Sequence, residues 1–350
     1  MPTNETRRWI EGLPKVELHV HLEGSLRPAI VAELAARHGR DTAEVWPEGL
    51  PESFSFVDFP DFARQFWFGL SLLRTGDDLR AVIGALGQSL HDNNVRYAEV
   101  TSTAFSHLRG GMSAADYGAA LDAGGRDVLD RFGVRLAWVI DIPRDLEPPD
   151  SRATVDFLAG SHAPVDTVGI GLGGYEVGFP AEPYAGAFAA AVALGLHSVP
   201  HAGETEGAHS VAAAFDTLAA ERIGHGVRCL EDPELVRRLA DAGTMLEVCP
   251  TSNVLIGVAS SIHDHPLPAL LDAGLNVSIN TDDPGSFGTD LNNELQLVHE
   301  HHRVDLDQLR AFQLAALDAS FADSSTKSAL RAEIEQYGRQ PADGDVNSRA

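Results

Sequence analysis

The chain has 350 residues, of which 44% are hydrophobic and 22% are charged, a composition typical of a globular protein with a large core. Acidic residues outnumber basic residues by 51 to 26, so the formal net charge is −25 at pH 7. This charge argues against nucleic acids and anionic membrane surfaces as partners, because both would be repelled unless a local basic patch existed. The sequence has no run of Lys and Arg that would form such a patch.

The sequence also indicates where the protein resides. The first residues lack the apolar stretch of a signal peptide, and no apolar run is long enough to span a bilayer. Cys229 and Cys249 are the only cysteines, too few for a disulfide framework. We therefore expect a cytoplasmic protein without a membrane partner.

Eight short runs rich in Val, Ile and Leu predict eight strands. They span residues 16–21, 95–100, 134–140, 165–172, 196–200, 222–225, 244–249 and 275–280. Helical segments lie between several of them, such as 233–242, which begins with Pro233 and stops at Gly243. This alternation favours an α/β fold, a (β/α)8 TIM barrel, although a doubly wound open sheet gives similar local signals.

More than seventy residues separate the first two runs, which predicts extra helices inserted after the first strand. This insertion holds an aromatic-rich segment, 54–68, in which Phe62 and Phe66 share a helix face. The segment forms either a subsidiary core or a lid over an apolar pocket. We expect residues 1–335 to form a single domain and the polar residues 336–350 to form a disordered tail.

Polar side chains cluster where several predicted strands end. His19 and His21 are two residues apart and therefore point the same way from the first strand. His201 and Asp282 follow two later strands, and the carboxyl ends of barrel strands meet at one rim, where catalytic groups lie. Three imidazole nitrogens and one carboxylate oxygen suit zinc and leave a position for water, whose pKa the metal lowers to about 7.

These motifs resemble the adenosine deaminase family of metal-dependent aminohydrolases. The similar segments are PKVELHVHLEG at 14–24, HAGE at 201–204, RIGHG at 222–226, CPTSN at 249–253 and NTDDP at 280–284. They occur in the family's order and span most of the chain. The resemblance implies one zinc ion per chain, and its implied ligands are His19, His21, His201 and Asp282.

The resemblance also implies the roles of further residues. Glu204 matches the acid that protonates purine N1, and His225 matches the group that orients and helps activate the attacking water. Asp283 matches the partner of N7, Gly174 the glycine whose amide meets N3, and the metal ligand His21 also borders the substrate. The chemistry is coherent, because hydroxide attacks the aromatic carbon only after the adjacent ring nitrogen takes a proton.

Two departures from the family pattern concern the substrate. Glu23 stands where adenosine deaminases usually carry Asp near the ribose, and residues 172–176 read LGGYE instead of about LAGDE. Segments 171–180 and 195–204 are closer to relatives that act on adenine or on 6-aminodeoxyfutalosine, a menaquinone precursor with an adenine base. We predict hydrolytic deamination of a 6-aminopurine, with adenosine or deoxyadenosine first, then 6-aminodeoxyfutalosine and adenine.

Two rival functions are weighed against this prediction. A cyclic-amide hydrolase of the wider metal-barrel superfamily usually carries a bridging lysine for two metals, and the predicted strand ends offer none. A catalytically silent purine-binding protein needs no proton donor, so the presence of both Glu204 and His225 argues against it. The expected partner is thus a small aminopurine, and the oligomeric state is left open.

Overall fold

The computed structural model describes residues 4–56, 59–147 and 151–338. Eight parallel strands lie side by side in chain order in one sheet. Their bounds are β1 (Lys15–His21), β2 (Val95–Ser102), β3 (Arg135–Pro143), β4 (Thr167–Gly173), β5 (His197–Ala202), β6 (Arg222–His225), β7 (Met245–Val248) and β8 (Asn276–Ile279). Each predicted strand is present, with ends that shift by up to three residues.

The sheet is closed by the residues that follow β8. Asp282 pairs with Val20 of β1 in a parallel bridge. The backbone N–H of Asp282 donates to the His19 carbonyl at 3.1 Å, and the His21 N–H donates to the Asp282 carbonyl at 2.8 Å. The predicted (β/α)8 TIM barrel is therefore confirmed, and the alternative of an open sheet is wrong.

Helices connect the strands and surround the barrel. The described residues contain α1 (Asn4–Gly12), α2 (Pro28–His38), α3 (Phe59–Leu70), α4 (Gly76–Asp92), α5 (Ala104–Arg109), α6 (Ala114–Phe132), α7 (Arg152–Ala159), α8 (Ala185–Ala193), α9 (Ala208–Thr217), α10 (Pro233–Ala242), α11 (Pro250–Leu255), α12 (Leu267–Asp272), α13 (Pro284–Phe287), α14 (Leu291–His302), α15 (Leu306–Ala319) and α16 (Ser324–Gln336). Three helices, α2, α3 and α4, lie between β1 and β2 where a plain barrel has one, in agreement with the prediction of extra helices after the first strand. None of the helices in the described ranges is both long and apolar enough to cross a membrane.

Local sequence explains where α4 begins and where α10 begins and ends. The Thr75 side chain caps α4 in a reciprocal capping box with Asp78, which satisfies two backbone donors of the first turn. The helix α10 begins with Pro233 after the Asp232 cap and ends at Gly243, which has φ +69°. A left-handed residue at this point favours glycine, and the predicted bounds of this helix are the observed ones.

The C-terminal helices cover the end of the barrel where the strands begin. An apolar cluster joins the start of β1 and β2 to α15 and α16, and it includes Val16, Tyr97, Leu317 and Ile334. Of the predicted tail, Gln336 ends α16 and the ring of Tyr337 lies 5.4 Å from that of Trp9. Residues 339–350 lie outside the described residues. This end of the barrel is packed, so the opposite end is the one open to a ligand.

Candidate active site

A cavity of about 230 Å³ opens at the carboxyl ends of the strands. Its wall combines polar residues from these strand ends with apolar residues from α3. The polar part of the wall is formed by His21, Glu23, Thr103, Asp141, Asp145, Gly174, His201, Glu204, His225, Asp282 and Asp283. Catalytic groups of TIM barrels lie at this face, so the cavity is the candidate active site.

Four side chains converge on one point at the floor of the cavity. The Nε2 atom of His201 lies 3.1 Å from Nε2 of both His19 and His21. Asp282 Oδ1 lies 3.3 Å from Nε2 of His19 and 3.3 Å from Nε2 of His21. All four ligand atoms lie within 4.8 Å of one another.

These distances fit a metal ion. Two ligands that lie about 2.1 Å from one zinc ion, at an angle of about 90–110°, are roughly 3.0–3.4 Å from each other, which is close to the spacing of these donor atoms and leaves a further position for water. Nitrogen lone pairs that face each other at such distances repel unless a cation or proton lies between them. The donor set of three imidazoles and one carboxylate therefore fits zinc, as the strand-end motifs predicted.

A series of buried, hydrogen-bonded side chains orients His19. Glu247 Oε2 lies 3.0 Å from Nδ1 of His19, so this nitrogen donates to the carboxylate and Nε2 faces the other ligands. Arg222 Nε donates to Glu247 Oε1 at 2.6 Å, and Arg222 also pairs with Glu99. Carboxylate–histidine pairs of this kind fix the tautomer of metal-binding histidines. Tyr97 Oη donates to Glu99 at 3.0 Å, and every side chain in this series is buried.

Backbone strain and a glycine create the space for the cluster. His225 and Asp282 have φ values of +60° and +65°, in the left-handed region that few non-glycine residues adopt. Gly224 precedes His225, and a Cβ atom there would lie 2.9 Å from the His19 ring and 3.1 Å from the His201 ring. Ser252 Oγ donates to Asp282 Oδ2 at 2.7 Å, which leaves Oδ1 for the ligand position.

Glu204 follows β5 on a loop that one carboxylate organises. Glu176 accepts hydrogen bonds from the backbone N–H groups of residues 203–206, at 2.7–3.1 Å, and from Ser210 Oγ. Burial raises the pKa of Glu204 to about 8, and the charges of Asp282 and Glu176 act in the same direction. The loop therefore presents Glu204 as a carboxylic acid that can donate a proton at neutral pH.

Two further candidate residues, His225 and Asp283, line the same cavity as Glu204. His225 Nε2 lies 3.3 Å from Glu204 Oε1, so the two side chains share one part of the cavity. Asp283 packs against Gly24, where a Cβ atom would lie 1.5 Å from Asp283 Oδ1 and leave no room for any other residue. Burial and the neighbouring Asp282 charge raise the pKa of Asp283, so this carboxyl can donate as well as accept a hydrogen bond.

Two carboxylates, Glu23 and Asp141, also line the cavity wall. Glu23 Oε1 accepts from Ser102, from the Thr103 N–H and from His107, whereas its Oε2 is buried without a hydrogen-bond partner. Asp141 Oδ1 is also buried without a partner, and burial raises the pKa of this side chain to about 7. Two acceptor oxygens in the wall are thus available to a ligand.

The outer part of the cavity is aromatic. Phe62 and Phe66 line it, with ring centroids 5.8 Å apart, and Phe62 also lies 5.5 Å from Phe287. Trp67 and Tyr175 line the mouth and are 43% and 41% exposed. Of the two interpretations of the aromatic insertion, the lid over a pocket describes these residues better. Phe59 and Pro60 have side chains outside the described part of the chain.

The structure brings together every residue singled out from the motifs: His19, His21, Gly174, His201, Glu204, His225, Asp282 and Asp283. Sequence reasoning gave no role to five residues that contact them or line the same cavity, namely Asp141, Glu176, Glu247, Ser252 and Asn253. A signal existed for Glu247, because a carboxylate inside the buried strand MLEV requires a partner. Asp141 carried the same signal in the buried strand β3.

Comparisons with known proteins agree with this geometry. The aminodeoxyfutalosine deaminase of Streptomyces avermitilis is 40% identical over 94% of this chain and 92% of its own length. The structure of an adenine deaminase from Arthrobacter aurescens matches with a TM-score of 0.87 and 30% identity, over 93% of this chain and 99% of that one. An amidohydrolase from Burkholderia ambifaria, solved with bound zinc, matches with a TM-score of 0.86 and 29% identity, over 96% and 93%.

The match to a family model extends over almost the whole barrel. The adenosine deaminase model covers residues 14–337, from the start of β1 to the end of α16. Similarity of this extent includes all the strand ends that form the candidate site. The chain belongs to the adenosine deaminase family, and it is a hydrolase that deaminates aminopurines.

Proposed function

We propose that this chain deaminates 6-aminodeoxyfutalosine, an adenine nucleoside that is larger than the free base. The observation that carries the proposal is the shape of the cavity, which continues from the polar floor to an aromatic mouth with Trp67 and Tyr175 partly exposed. Partly exposed aromatic side chains at a cavity mouth favour a ligand whose apolar part reaches outward. The 40% identity with a deaminase of that name supports the same substrate.

In this proposal one zinc ion is held by His19, His21, His201 and Asp282. When bound, zinc lowers the pKa of water and so supplies hydroxide at neutral pH. The carboxyl group of Glu204 donates its proton to purine N1, which makes C6 susceptible to attack. The side chains of His225 and Asp282 would border the attacking oxygen. The proton of the added hydroxyl group passes to the amino nitrogen, the bond between this nitrogen and C6 breaks, and ammonia leaves while C6 keeps the oxygen.

The remaining polar groups hold the substrate. Asp283 donates a hydrogen bond to N7 of the base, and the backbone N–H of Gly174 donates to N3. The unpartnered oxygens of Glu23 and Asp141 then accept hydrogen bonds from hydroxyl groups of the sugar. A buried acceptor without a partner costs about 1–3 kcal/mol, so a ligand that supplies the donor is favoured.

Adenine is the second candidate, and the same unpartnered oxygens support it. The free base carries an N–H on its five-membered ring, which Asp141 could accept. The adenine deaminase structure with a TM-score of 0.87 supports this alternative. Adenosine, the first substrate in the sequence-based order, stays a prediction.

A substrate panel separates these candidates. Purified zinc-loaded protein is assayed for loss of adenine absorbance on 6-aminodeoxyfutalosine, adenosine, 2′-deoxyadenosine and adenine, with metal content measured in parallel. We expect the largest kcat/KM for 6-aminodeoxyfutalosine and one zinc ion per chain. A larger kcat/KM for adenine would transfer the assignment to the free base, and no turnover of any aminopurine would overturn the proposal.

A further inference from the structure

Behind His225, a line of buried side chains leads to the backbone of α12. The Leu267 N–H donates to Nδ1 of His265 at 3.1 Å. Nε2 of His265 lies 3.0 Å from Asn253 Oδ1, and Asn253 Nδ2 lies 3.3 Å from Nδ1 of His225. Asn253, His225 and His265 are 0%, 1% and 3% exposed, so water does not compete for these bonds.

The direction of every hydrogen bond in this line follows from the first one, in which the Leu267 N–H donates to His265. A backbone N–H can only donate, so Nδ1 of His265 carries no proton and a neutral ring carries it on Nε2. Burial lowers the pKa of His265 to about 3, and the ring is therefore neutral at ordinary pH. Its Nε2–H donates to Asn253 Oδ1, which orients the amide so that Nδ2 donates to His225.

We propose that Asn253 and His265 are positioning residues that hold the neutral His225 ring in its Nε2–H tautomer and direct that N–H into the cavity. Nδ1 of His225 accepts from Asn253 and has no proton of its own. Nε2 faces Glu204 Oε1 at 3.3 Å and Asp282 Oδ2 at 4.0 Å. In catalysis, which rests on the proposed function, His225 is then a hydrogen-bond donor that stabilises negative charge on the attacking oxygen.

A purely structural role for the same contacts makes a different prediction. If Asn253 only anchored the segment between α11 and α12, the direction of its hydrogen bonds would not matter. Asn253→Asp keeps the size of the side chain and its acceptor for His265 but removes the Nδ2 donor. The carboxylate would instead accept a proton from Nδ1 of His225, which reverses the direction of the last bond.

The first test determines the tautomer of the His225 ring directly. Long-range ¹H–¹⁵N spectra of zinc-loaded protein with ¹⁵N-labelled histidine distinguish protonated from unprotonated ring nitrogens, and the His225 signals are assigned by their loss in His225→Gln. We expect the proton on Nε2 in the wild type and on Nδ1 in Asn253→Asp. A wild-type ring protonated on Nδ1, or an unchanged tautomer in folded Asn253→Asp, would overturn the proposal.

The second test measures kcat and KM of variants on the best substrate of the panel. His265→Gln retains an amide N–H near the position of Nε2, whereas His265→Leu removes the donor. We expect kcat to fall about 10–100-fold in His265→Leu and in Asn253→Asp with KM within about twofold, and to recover most of that loss in His265→Gln. His197→Gln, at the opposite end of the barrel, is the matched control and should keep the wild-type kcat.

Equal losses in His265→Gln and His265→Leu would contradict the positioning role. The spectra are recorded without substrate, so their result does not depend on which aminopurine the enzyme uses. If no aminopurine is turned over but the wild type carries the Nε2–H tautomer, the proposed function fails and the tautomer assignment stands.

Discussion

At the scale of single residues, the proposed role of Glu204 as the acid makes activity depend on the protonation state of this side chain. Burial raises the pKa of this side chain to about 8, and a bound cation lowers the pKa of a nearby acid, so the working value lies at or below pH 8. The acid is active when protonated, and activity is therefore lost as the pH rises through this value. We expect kcat/KM to decline on the alkaline side, as measured on the best substrate between pH 5 and 10.

The variant Glu204→Gln tests the same role. It keeps the size of the side chain but cannot donate a proton from a carboxyl group, so we expect kcat to fall by at least about 100-fold with zinc content unchanged. Zinc content by elemental analysis is the control, because a loss of metal would lower kcat for another reason. Activity within tenfold of the wild type would remove Glu204 from the role of acid.

A second residue-scale prediction concerns the carboxylate behind His19. Glu247→Gln no longer fixes the His19 tautomer, because a neutral amide can present either a donor or an acceptor to Nδ1. We expect the zinc dissociation constant, measured by competition with a chelator, to rise about 10–100-fold. Glu294→Gln is the matched control, because Glu294 is equally buried but bonds to Thr251 and Thr289. Equal affinities of both variants would make Glu247 a structural residue only.

At the scale of elements, α3 belongs to the insertion between β1 and β2 that a plain barrel lacks. It places Phe62, Phe66 and Trp67 over the cavity, although a helix face with aromatic residues is also typical of a small core. Phe62 touches Phe287 of α13, which directly follows Asp283, so α3 packs onto the element that carries a candidate substrate contact. Since its aromatic side chains line the cavity, we expect α3 to contact the part of a substrate that extends beyond the base.

Trp67→Ala tests this function of α3. If the apolar extension of a substrate contacts the indole ring, we expect KM for 6-aminodeoxyfutalosine to rise about tenfold, since burial of an aromatic side chain contributes about 1–3 kcal/mol. KM for adenine should stay within twofold, because the proposed binding mode places the base on the cavity floor, away from Trp67. Leu129→Ala, which alters a residue of similar exposure on α6, is the control. A parallel rise of KM for both substrates would indicate that α3 only stabilises the fold.

At the scale of the whole molecule, the sequence was sufficient for the barrel and for the residues at its rim. The β-branched runs predicted all eight strands, and the motifs at their ends named the residues that converge on the cavity. Supporting pairs such as His19 with Glu247 could not be predicted, because the partners are 228 residues apart on separate strands and such pairs leave no periodic signal. The closure through Asp282 also depends on a left-handed backbone that no hydrophobic pattern encodes.

The candidate metal ligands come from three different parts of the barrel, and this links metal binding to global stability. His19 and His21 lie on β1, His201 lies on β5, and Asp282 closes the sheet against β1. A cation bound by the folded protein but not by the unfolded chain adds about 4 kcal/mol when free zinc exceeds its dissociation constant a thousandfold. For a chain of this size we expect Tm to rise by several degrees.

Calorimetry of chelator-treated and zinc-reloaded protein measures this shift at one pH and one protein concentration. Asp282→Asn should melt at a lower temperature and lose most of the zinc-dependent shift, because it weakens the ligand from the strand junction while it keeps the backbone bridge to Val20. His197→Gln leaves the four ligands intact and should show the full shift. Identical melting temperatures for chelator-treated and reloaded wild-type protein would mean that the ion does not join these strands, because a ligand that binds only the folded state must stabilise it.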